Sequence, residues 1–279
     1  MALVSMKNLL DQAAAEHRGA GAFSVGNMEM VAGAVKAAEE MNTPIILQIA
    51  EVRLGHSPLE FMGPMMISAA ENAKVDIAVH LDHGLTEDVV KKALNLGFTS
   101  VMYDSSLYSF EENIERTRSV KELAAPLGVT VEAELGMVGG SEDGSCDHGI
   151  RYTDPEEAAV FCRETGVDAL AVAVGNAHGN YKAAPKLAFN VIEEVRDRVG
   201  DTHLVLHGGS GISDDDFREA IRCGIVKVNI ATASFNRLTM RAEEYLCGNG
   251  SHDYFGLNEA MVQGTYENVR HHIEVFNMK

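Results

Sequence analysis

The feature of this sequence that most constrains its fold is a regular alternation of two kinds of segment. Short apolar runs rich in β-branched residues alternate with longer segments of helical periodicity. Eight apolar runs occur, at 21–25, 44–50, 77–82, 100–104, 130–135, 169–174, 203–208 and 225–230. The helix-like segments between them cover 28–41, 58–74, 86–96, 110–125, 155–165, 186–199 and 214–223. This pattern predicts repeated βα units around a parallel sheet.

The number of βα units favours one architecture over another. Eight units within 279 residues are what a (β/α)8 barrel requires. An open doubly wound sheet also alternates strands and helices, but it needs a Gly-rich phosphate fingerprint after its first strand. Here the first run continues as Val25-Gly26-Asn27-Met28, without that fingerprint. The sequence therefore predicts an α/β fold, a single (β/α)8 TIM barrel over residues 1–279. A helix at 231–246, a turn at 247–256 and an extra C-terminal helix at 257–276 complete the prediction.

Composition excludes several classes of function. The chain has 41 acidic and 23 basic residues and a net charge of −18, which disfavours nucleic acid as a partner. No apolar run approaches the roughly 18–20 residues that span a bilayer, so no membrane association is expected. The cysteines form no Cys-x-x-Cys pair, which favours free thiols and a cytoplasmic protein. They are Cys146, Cys162, Cys223 and Cys247.

Histidines and carboxylates collect where the predicted strands end. His83, His178 and His207 each stand beside a glycine at the end of a different strand. The carboxylates at or near such ends are Asp82, Asp104, Glu132 and Glu134. In a barrel these ends form one rim, and three imidazoles with an open position are typical of a catalytic zinc site. His80 lies two residues before Asp82 and is expected to be a core histidine instead.

The loops after strands 7 and 8 indicate an anionic substrate. The first loop is the glycine-rich turn Gly208-Gly209-Ser210-Gly211, and the second contains Thr232. These loops are the usual phosphate site of such barrels, built from backbone N–H groups and a helix N-terminus. Together with Lys182, which follows His178, they predict a phosphorylated substrate despite the acidic composition.

Taken in order, these motifs resemble those of a known family, the class II, metal-dependent ketose-bisphosphate aldolases of the fructose- and tagatose-bisphosphate type. The resemblance extends from Val4 to the last helix. The motifs that carry it are Leu81-Asp82-His83-Gly84, Glu132-Ala133-Glu134-Leu135-Gly136, Gly139-Gly140-Ser141-Glu142-Asp143-Gly144, His178-Gly179-Asn180-Tyr181-Lys182, His207-Gly208-Gly209-Ser210-Gly211-Ile212 and Asn229-Ile230-Ala231-Thr232. It implies an aldolase, that is, a carbon–carbon lyase.

The resemblance also implies roles for individual residues. Asp82 matches the acid/base at the cleaved carbon, and Glu142 matches a loop glutamate that moves a proton on dihydroxyacetone phosphate. The zinc ligands correspond to His83, His178 and His207, with Asp104 and Glu134 around an alternative metal position. Substrate and phosphate contacts correspond to Gly179, Lys182, Gly208, Ser210, Asn229 and Thr232. A homodimer or homotetramer is implied, and the need for a monovalent cation is left open.

The implied reaction is reversible aldol cleavage of a ketose 1,6-bisphosphate. Zinc would hold the substrate oxygens while Asp82 removes the C4 hydroxyl proton and the C3–C4 bond breaks. The metal-stabilised enediolate would then be protonated by Glu142 to give dihydroxyacetone phosphate. The loop 136–152, rich in glycine and acidic residues, is expected to close over the site.

The sequence departs from the fructose-bisphosphate pattern at four positions. Ala231 replaces an aspartate, Ala50 replaces a serine, and Ser105 replaces a glycine. Arg53 adds a cation just past strand 2. It either pairs with a nearby glutamate, Glu51 or Glu60, or binds an anionic group at the far end of the substrate. The identity of the sugar is therefore left open.

Other functions remain as alternatives. An aldolase for a different ketose phosphate would keep the metal and proton-transfer residues. A non-catalytic barrel subunit of a tagatose-bisphosphate aldolase complex would be expected to lose them, and here they are present. A metal-dependent barrel hydrolase often carries a His-x-His pair on its first strand, whereas this chain has Phe23-Ser24-Val25 in that region.

Overall fold

The strands of the computed structural model close into a parallel barrel, as the eight apolar runs predict. The structure describes residues 2–140, 150–179, 185–248 and 253–279. The strands are β1 (Ala20–Ser24), β2 (Ile45–Ala50), β3 (Ile77–Gly84), β4 (Ser100–Tyr103), β5 (Thr130–Leu135), β6 (Ala169–Val172), β7 (His203–Leu206) and β8 (Ile225–Ile230). Each pairs with the next in parallel, and β8 closes the barrel against β1. The predicted (β/α)8 fold is confirmed.

Helices surround the barrel and extend beyond its last strand. They are α1 (Met6–Ala15), α2 (Met28–Glu40), α3 (Leu59–Asn72), α4 (Glu87–Leu96), α5 (Phe110–Ala124), α6 (Pro155–Thr165), α7 (Phe189–Arg196), α8 (Asp214–Cys223), α9 (Thr232–Gly248) and α10 (Tyr254–Phe276). Short 3₁₀ turns occupy Glu51–Arg53 and Ala125–Leu127. Within the described parts of the chain, no helix combines the length and apolarity needed to cross a membrane.

Several helices begin at the polar residues that mark their N-termini in the sequence. Thr86 accepts a hydrogen bond from the backbone N–H of Val89, and Asp154 caps α6 in the same way. Ser213 caps α8, whose first turn is three aspartates. These side chains satisfy backbone donors that have no partner inside the helix, so they fix where each helix starts.

Most of the predicted boundaries lie one to three residues from those of the structure, and three of the differences have a clear local cause. β3 continues to Gly84 instead of ending at 82, because it resumes pairing with β4 after an irregularity in register. α7 is shorter than 186–199, since its N-cap residue Ala188 makes no side-chain cap. α10 starts at Tyr254 rather than 257, because the Asp253 side chain accepts a hydrogen bond from the N–H of Gly256. The predicted turn 247–256 is correspondingly too long.

The barrel interior is layered from its amino-terminal to its carboxyl-terminal end. At the amino-terminal end α1 inserts apolar side chains, including Met6 and Leu10, against small residues of the strands such as Ala22 and Ala78. Farther along the strands the inward positions become polar. Because side chains alternate across a strand, His80 and Asp82 on β3 share one face with Ala78. The apolar end anchors the barrel, and the polar end carries the candidate site.

Candidate active site

Asp82 lies fully buried at the carboxyl end of β3 and is held from two sides. Its Oδ2 accepts a hydrogen bond from Gln48 Nε2 at 3.0 Å, and its Oδ1 accepts one from Asn229 Nδ2 at 3.0 Å. Gln48 lies on β2 and Asn229 on β8. Neutral donors on each oxygen orient a carboxylate without adding positive charge, which suits a group that must exchange a proton with a ligand.

Three histidines meet beside Asp82. The ring centroids of His83 and His207 are 4.6 Å apart, those of His83 and His178 are 4.9 Å apart, and those of His178 and His207 are 5.9 Å apart. In the described part of the chain, ligand atoms of these histidines and of Glu134 lie within 4.8 Å of one another. The structure thus brings together the three histidines expected as ligands and one of the two expected carboxylates.

A second layer of carboxylates orients two of the imidazole rings. His83 Nδ1 donates to Asp104 Oδ2 at 2.7 Å, and His207 Nε2 donates to Glu132 Oε1 at 2.9 Å. His83 is consequently turned so that its Nε2 is the atom it can offer to a ligand. The other nitrogen of His207, Nδ1, lies 3.4 Å from Glu134 Oε2. Carboxylates behind ligating histidines fix ring orientation and raise ligand basicity.

The electrostatic field of this cluster favours positive charge. Burial alone would lower the pKa of His83, but Asp82 and Asp104 together raise that pKa well above its usual value. Burial, reinforced by the charge of Asp104, raises the pKa of the Glu134 carboxyl to about 7. His80, by contrast, is buried, bonds Ser100 Oγ at 2.9 Å, and has a pKa lowered well below its usual value by burial. His80 is thus a core histidine, as expected.

The donor set fits a divalent metal ion. Three imidazoles and a carboxylate that face a common centre are a usual ligand set for such ions. Asp104 and Glu132 lie behind the rings and hold two of them in place. The residues that could hold the ion are His83, His178, His207 and Glu134. Asp104 faces Nδ1 of His83, so its contribution here runs through that ring.

The loops after β7 and β8 are joined to each other beside this cluster. Ser210 Oγ accepts a hydrogen bond from the N–H of Ala233 at 2.9 Å, in the first turn of α9. Thr232 is the first residue of α9, and Gly209 N–H donates to the carbonyl of Asn229 at 3.1 Å. Backbone N–H groups and a helix N-terminus therefore gather where a phosphate is predicted.

Gly208 can be replaced by no larger residue without movement of the backbone. It has φ of +64°, and a Cβ placed there would lie 2.1 Å from the carbonyl oxygen of Ala177. Ala177 immediately precedes His178 in the loop after β6. The absence of a side chain at Gly208 therefore lets the β6 and β7 loops approach, which brings His178 toward His207.

Arg53 lies at the end of the 3₁₀ turn after β2. Its guanidinium carbon is 5.3 Å from the centroid of the Phe235 ring, in the first turn of α9. Glu51 accepts hydrogen bonds from Thr86 and from the N–H of Leu85, and Glu60 pairs with Lys92. The cation is thus placed between the β2 and β8 sides of the rim, next to the predicted phosphate loops.

Two predicted site residues, Glu142 and Lys182, lie outside the described residues. Gly179, at φ of +81°, is described, and it is the last residue before the undescribed residues 180–184. Of the cysteines, Cys162 and Cys223 are buried and Cys247 is exposed, all with free thiols.

The sequence interpretation missed Gln48 and gave Glu132 no partner. Gln48 was not singled out, although a lone amide in the apolar run Pro44–Ala50 is an inward polar position. Glu132 Oε2 lies 2.9 Å from the ammonium of Lys227, and both side chains are fully buried. A charged residue inside an apolar strand is the signal that identifies such positions, because burial requires a partner.

Comparison with known proteins gives a consistent result over the whole length. Residues 4–279 match the family "Fructose-bisphosphate aldolase class-II". A fructose-bisphosphate aldolase of Geobacillus stearothermophilus is 41% identical over 88% of this chain and 86% of its own. A sulfofructosephosphate aldolase of Alkalicoccus urumqiensis is 38% identical over 97% of this chain and 96% of its own.

A solved structure agrees with these matches. The crystal structure of the YdjI aldolase from Escherichia coli K12 superimposes with a TM-score of 0.87 at 37% identity. The match covers 98% of this chain and 97% of that one. The barrel is therefore shared with a protein named as an aldolase.

Proposed function

The chain belongs to the class-II fructose-bisphosphate aldolase family, a family of metal-dependent carbon–carbon lyases, and we propose from this membership that it is a zinc-dependent aldolase of ketose phosphates. The proposed reaction is reversible cleavage of a ketose 1,6-bisphosphate, or of a close analogue, to dihydroxyacetone phosphate and an aldehyde. The observation that carries the proposal is the convergence of His83, His178, His207 and Glu134 beside the buried carboxylate of Asp82.

The residues of the chain divide the proton transfers between them in this proposal. Asp82, oriented by Gln48 and Asn229, takes the proton of the C4 hydroxyl as the C3–C4 bond breaks and the aldehyde departs. Glu142 then protonates the enediolate at C3. A bound Zn²⁺ would supply Lewis-acid stabilisation of the negative charge that develops on the dihydroxyacetone-phosphate half.

Substrate binding is assigned to the rim around these groups. Gly208, Ser210, Thr232 and the N-terminus of α9 would hold the 1-phosphate, together with Gly179 and Lys182. Asn229 would contact the substrate beside Asp82. The enzyme is proposed to work in the cytoplasm as a homodimer or homotetramer.

Arg53 is proposed to bind the anionic group at the far end of the substrate. Its placement over Phe235, beside the phosphate loops, supports this role. The name of one relative, sulfofructosephosphate aldolase, indicates a ketose phosphate that carries a sulfonate. Phosphate, sulfonate and carboxylate all suit the planar donors of a guanidinium. We therefore propose a substrate with an anion at each end.

A coupled assay over a panel of ketose phosphates tests the function. Dihydroxyacetone phosphate release would be measured for the fructose and tagatose 1,6-bisphosphates, for a sulfofructose phosphate and for ketose 1-phosphates without a distal anion. Cleavage of at least one doubly anionic substrate, with Zn²⁺ supplied, is expected. No release from any of them would contradict the proposal and favour the non-catalytic barrel subunit.

A further inference from the structure

A continuous line of hydrogen bonds inside the barrel joins Asp82 to His207. Asn229 Nδ2 donates to Asp82 Oδ1 at 3.0 Å, and Asn229 Oδ1 accepts from Lys227 Nζ at 2.6 Å. Lys227 Nζ donates to Glu132 Oε1 at 3.2 Å and lies 2.9 Å from Glu132 Oε2, and Glu132 Oε1 also accepts from His207 Nε2 at 2.9 Å. Lys227 is therefore the middle of a path from the proposed base to a proposed metal ligand.

Stability alone gives a poor reason for a lysine in this place. The side chains of Lys227 and Glu132 are fully buried, so both have lost their hydration. A buried ion pair seldom stabilises a fold more than a well-packed apolar pair of the same volume. Two contacts of Lys227 lead instead to residues of the proposed site. An ammonium paired with a carboxylate is also a poor nucleophile, which argues against Schiff-base chemistry at this residue.

The contacts of Lys227 determine which atoms its neighbours present. An amide side chain can be turned about its last bond, which exchanges its oxygen and nitrogen. Because the ammonium binds Oδ1 of Asn229, Nδ2 is the atom that faces Asp82. The opposite orientation would place an amide oxygen against the carboxylate, and the two would repel each other.

The same ammonium fixes Glu132 on the other side. Glu132 accepts the proton of His207 Nε2, so the tautomer and the ring orientation of His207 depend on the position of that carboxylate. His207 Nδ1 is thereby the atom turned toward Glu134.

We propose that Lys227 is a positioning residue that sets Asp82 and His207 relative to each other through Asn229 and Glu132. It touches neither substrate nor metal. The proposal rests on the proposed function for the roles of Asp82 and His207. The network itself can be tested without the reaction.

The test compares Lys227→Met, the charge-balanced pair Lys227→Met/Glu132→Gln, and the conservative Lys227→Arg. Both Met variants should lose roughly 10–100-fold in kcat and in Zn²⁺ affinity, as for other outer-shell partners of a metal site. KM should change little, because no substrate contact is removed. Lys227→Arg keeps the charge and donors and should recover part of both losses. Zn²⁺ affinity would be measured on metal-free protein by competition with a chromophoric chelator.

Lys121→Met is the matched control. Lys121 on α5 also pairs with a carboxylate, Asp168, but at the amino-terminal end of the barrel, where Asp168 accepts the N–H of Val131. This control should retain wild-type kcat and Zn²⁺ affinity. A folded Lys227→Met/Glu132→Gln protein with wild-type kcat and Zn²⁺ affinity would overturn the proposal.

A measurement on the wild-type protein covers the case in which neither Met variant folds. Among the described lysines, Lys227 has a side chain without exposure to solvent, so its ammonium protons should exchange slowly. An ammonium signal protected from exchange is expected in ¹⁵N-labelled protein, and its absence would refute the network. If the wild type did not catalyse aldol cleavage, only the proposed function would be refuted, because the Zn²⁺-affinity and NMR measurements do not depend on the reaction.

Discussion

At the scale of single residues, Asp82 and His83 are neighbours in the chain but have different tasks. A strand would normally direct them to opposite faces. Here the pairing of β3 with β4 shifts between Leu81 and Gly84, and His83 has φ of +38°. This irregular backbone lets both side chains reach the same site. Such strain is tolerated where the surrounding structure holds it, in this case the hydrogen bond from His83 to Asp104.

The division of proton transfer between two carboxylates gives the first prediction. Asp82→Asn keeps the shape of the side chain but removes the base, so C–C cleavage should fall roughly 10²–10⁴-fold. Dihydroxyacetone phosphate should still exchange a proton of its hydroxymethyl carbon, which is C3 of the ketose, with solvent, since this step is assigned to Glu142. Glu142→Ala should lose the exchange most severely. Isotope exchange by NMR, with cleavage assayed in parallel, measures both. Equal loss of exchange in the two variants would contradict this division.

Arg53 gives a second prediction at this scale. A hydrogen bond to a charged group contributes about 1.5–3 kcal/mol. Arg53→Ala should therefore cost roughly 10–150-fold in kcat/KM for substrates with a distal anion. Ketose 1-phosphates without that anion are the matched control and should be nearly unaffected. If the loss were equal on both substrate types, or absent from both, Arg53 would have no role in recognising the distal anion.

The sequence predicted the convergence of the histidines better than the residues that support them. Histidines and carboxylates at strand ends are chemically distinctive, and their convergence follows from barrel geometry alone. Gln48 was missed because an amide has no such signature and its importance depends on facing Asp82 across β2 and β3. The partnership of Lys227 with Asn229 likewise depends on the register of one strand and on side-chain rotamers, which a single sequence does not specify.

At the scale of elements, the strands and helices with strong end signals were predicted best. β5, β8, α6 and α8 have the predicted bounds. α6 and α8 each begin at a capping residue and end at a glycine, Gly166 and Gly224. The element ends that the sequence did not predict are those set by tertiary contacts. β3 was extended by renewed pairing with β4, which no local pattern reveals.

The loop after β7 provides a prediction about an element. Gly208→Ala would force the β6 and β7 loops apart, since the new Cβ would meet Ala177 O. Gly128→Ala is the matched control, because Gly128 has φ of +66° but nothing within 4 Å of a Cβ. Both should lose about 1–2 kcal/mol of stability from the left-handed backbone. Zn²⁺ affinity and cleavage should fall in Gly208→Ala alone. Equal Zn²⁺ affinity in the two variants would show that close approach of the loops is unnecessary.

At the scale of the whole molecule, a buried histidine on the last helix makes the free energy of unfolding depend on pH. His272 on α10 lies among the rings of Phe23, Phe217 and Phe276 and donates to the carbonyl of Asn268. Burial lowers its pKa to about 4 from an ordinary value of 6.5. The folded protein thus binds this proton less readily than the unfolded chain. Above pH 6.5 the histidine is neutral in both states, and the free energy of unfolding is not reduced by its burial. As pH falls from 6.5 toward 4, the unfolded chain binds the proton and the folded protein does not, so the free energy of unfolding decreases.

The fourth prediction follows from this shift. Between pH 6.5 and 4 the wild type should lose about 3 kcal/mol more of its unfolding free energy than His272→Phe. His271→Gln is the comparison variant, because it alters the exposed histidine next to the buried one. Urea unfolding across this pH range measures the difference. Equal slopes for the wild type and His272→Phe would show that His272 is not responsible.

Chelation followed by metal addition tests the central claim, metal-dependent aldol cleavage at the three-histidine cluster. Protein treated with EDTA should release no dihydroxyacetone phosphate, and added Zn²⁺ or Co²⁺ should restore release. His207→Ala should stay inactive under the same metal addition, and borohydride with substrate should leave no lysine adduct. Full activity in the presence of chelator, or a lysine adduct trapped by borohydride, would contradict the claim.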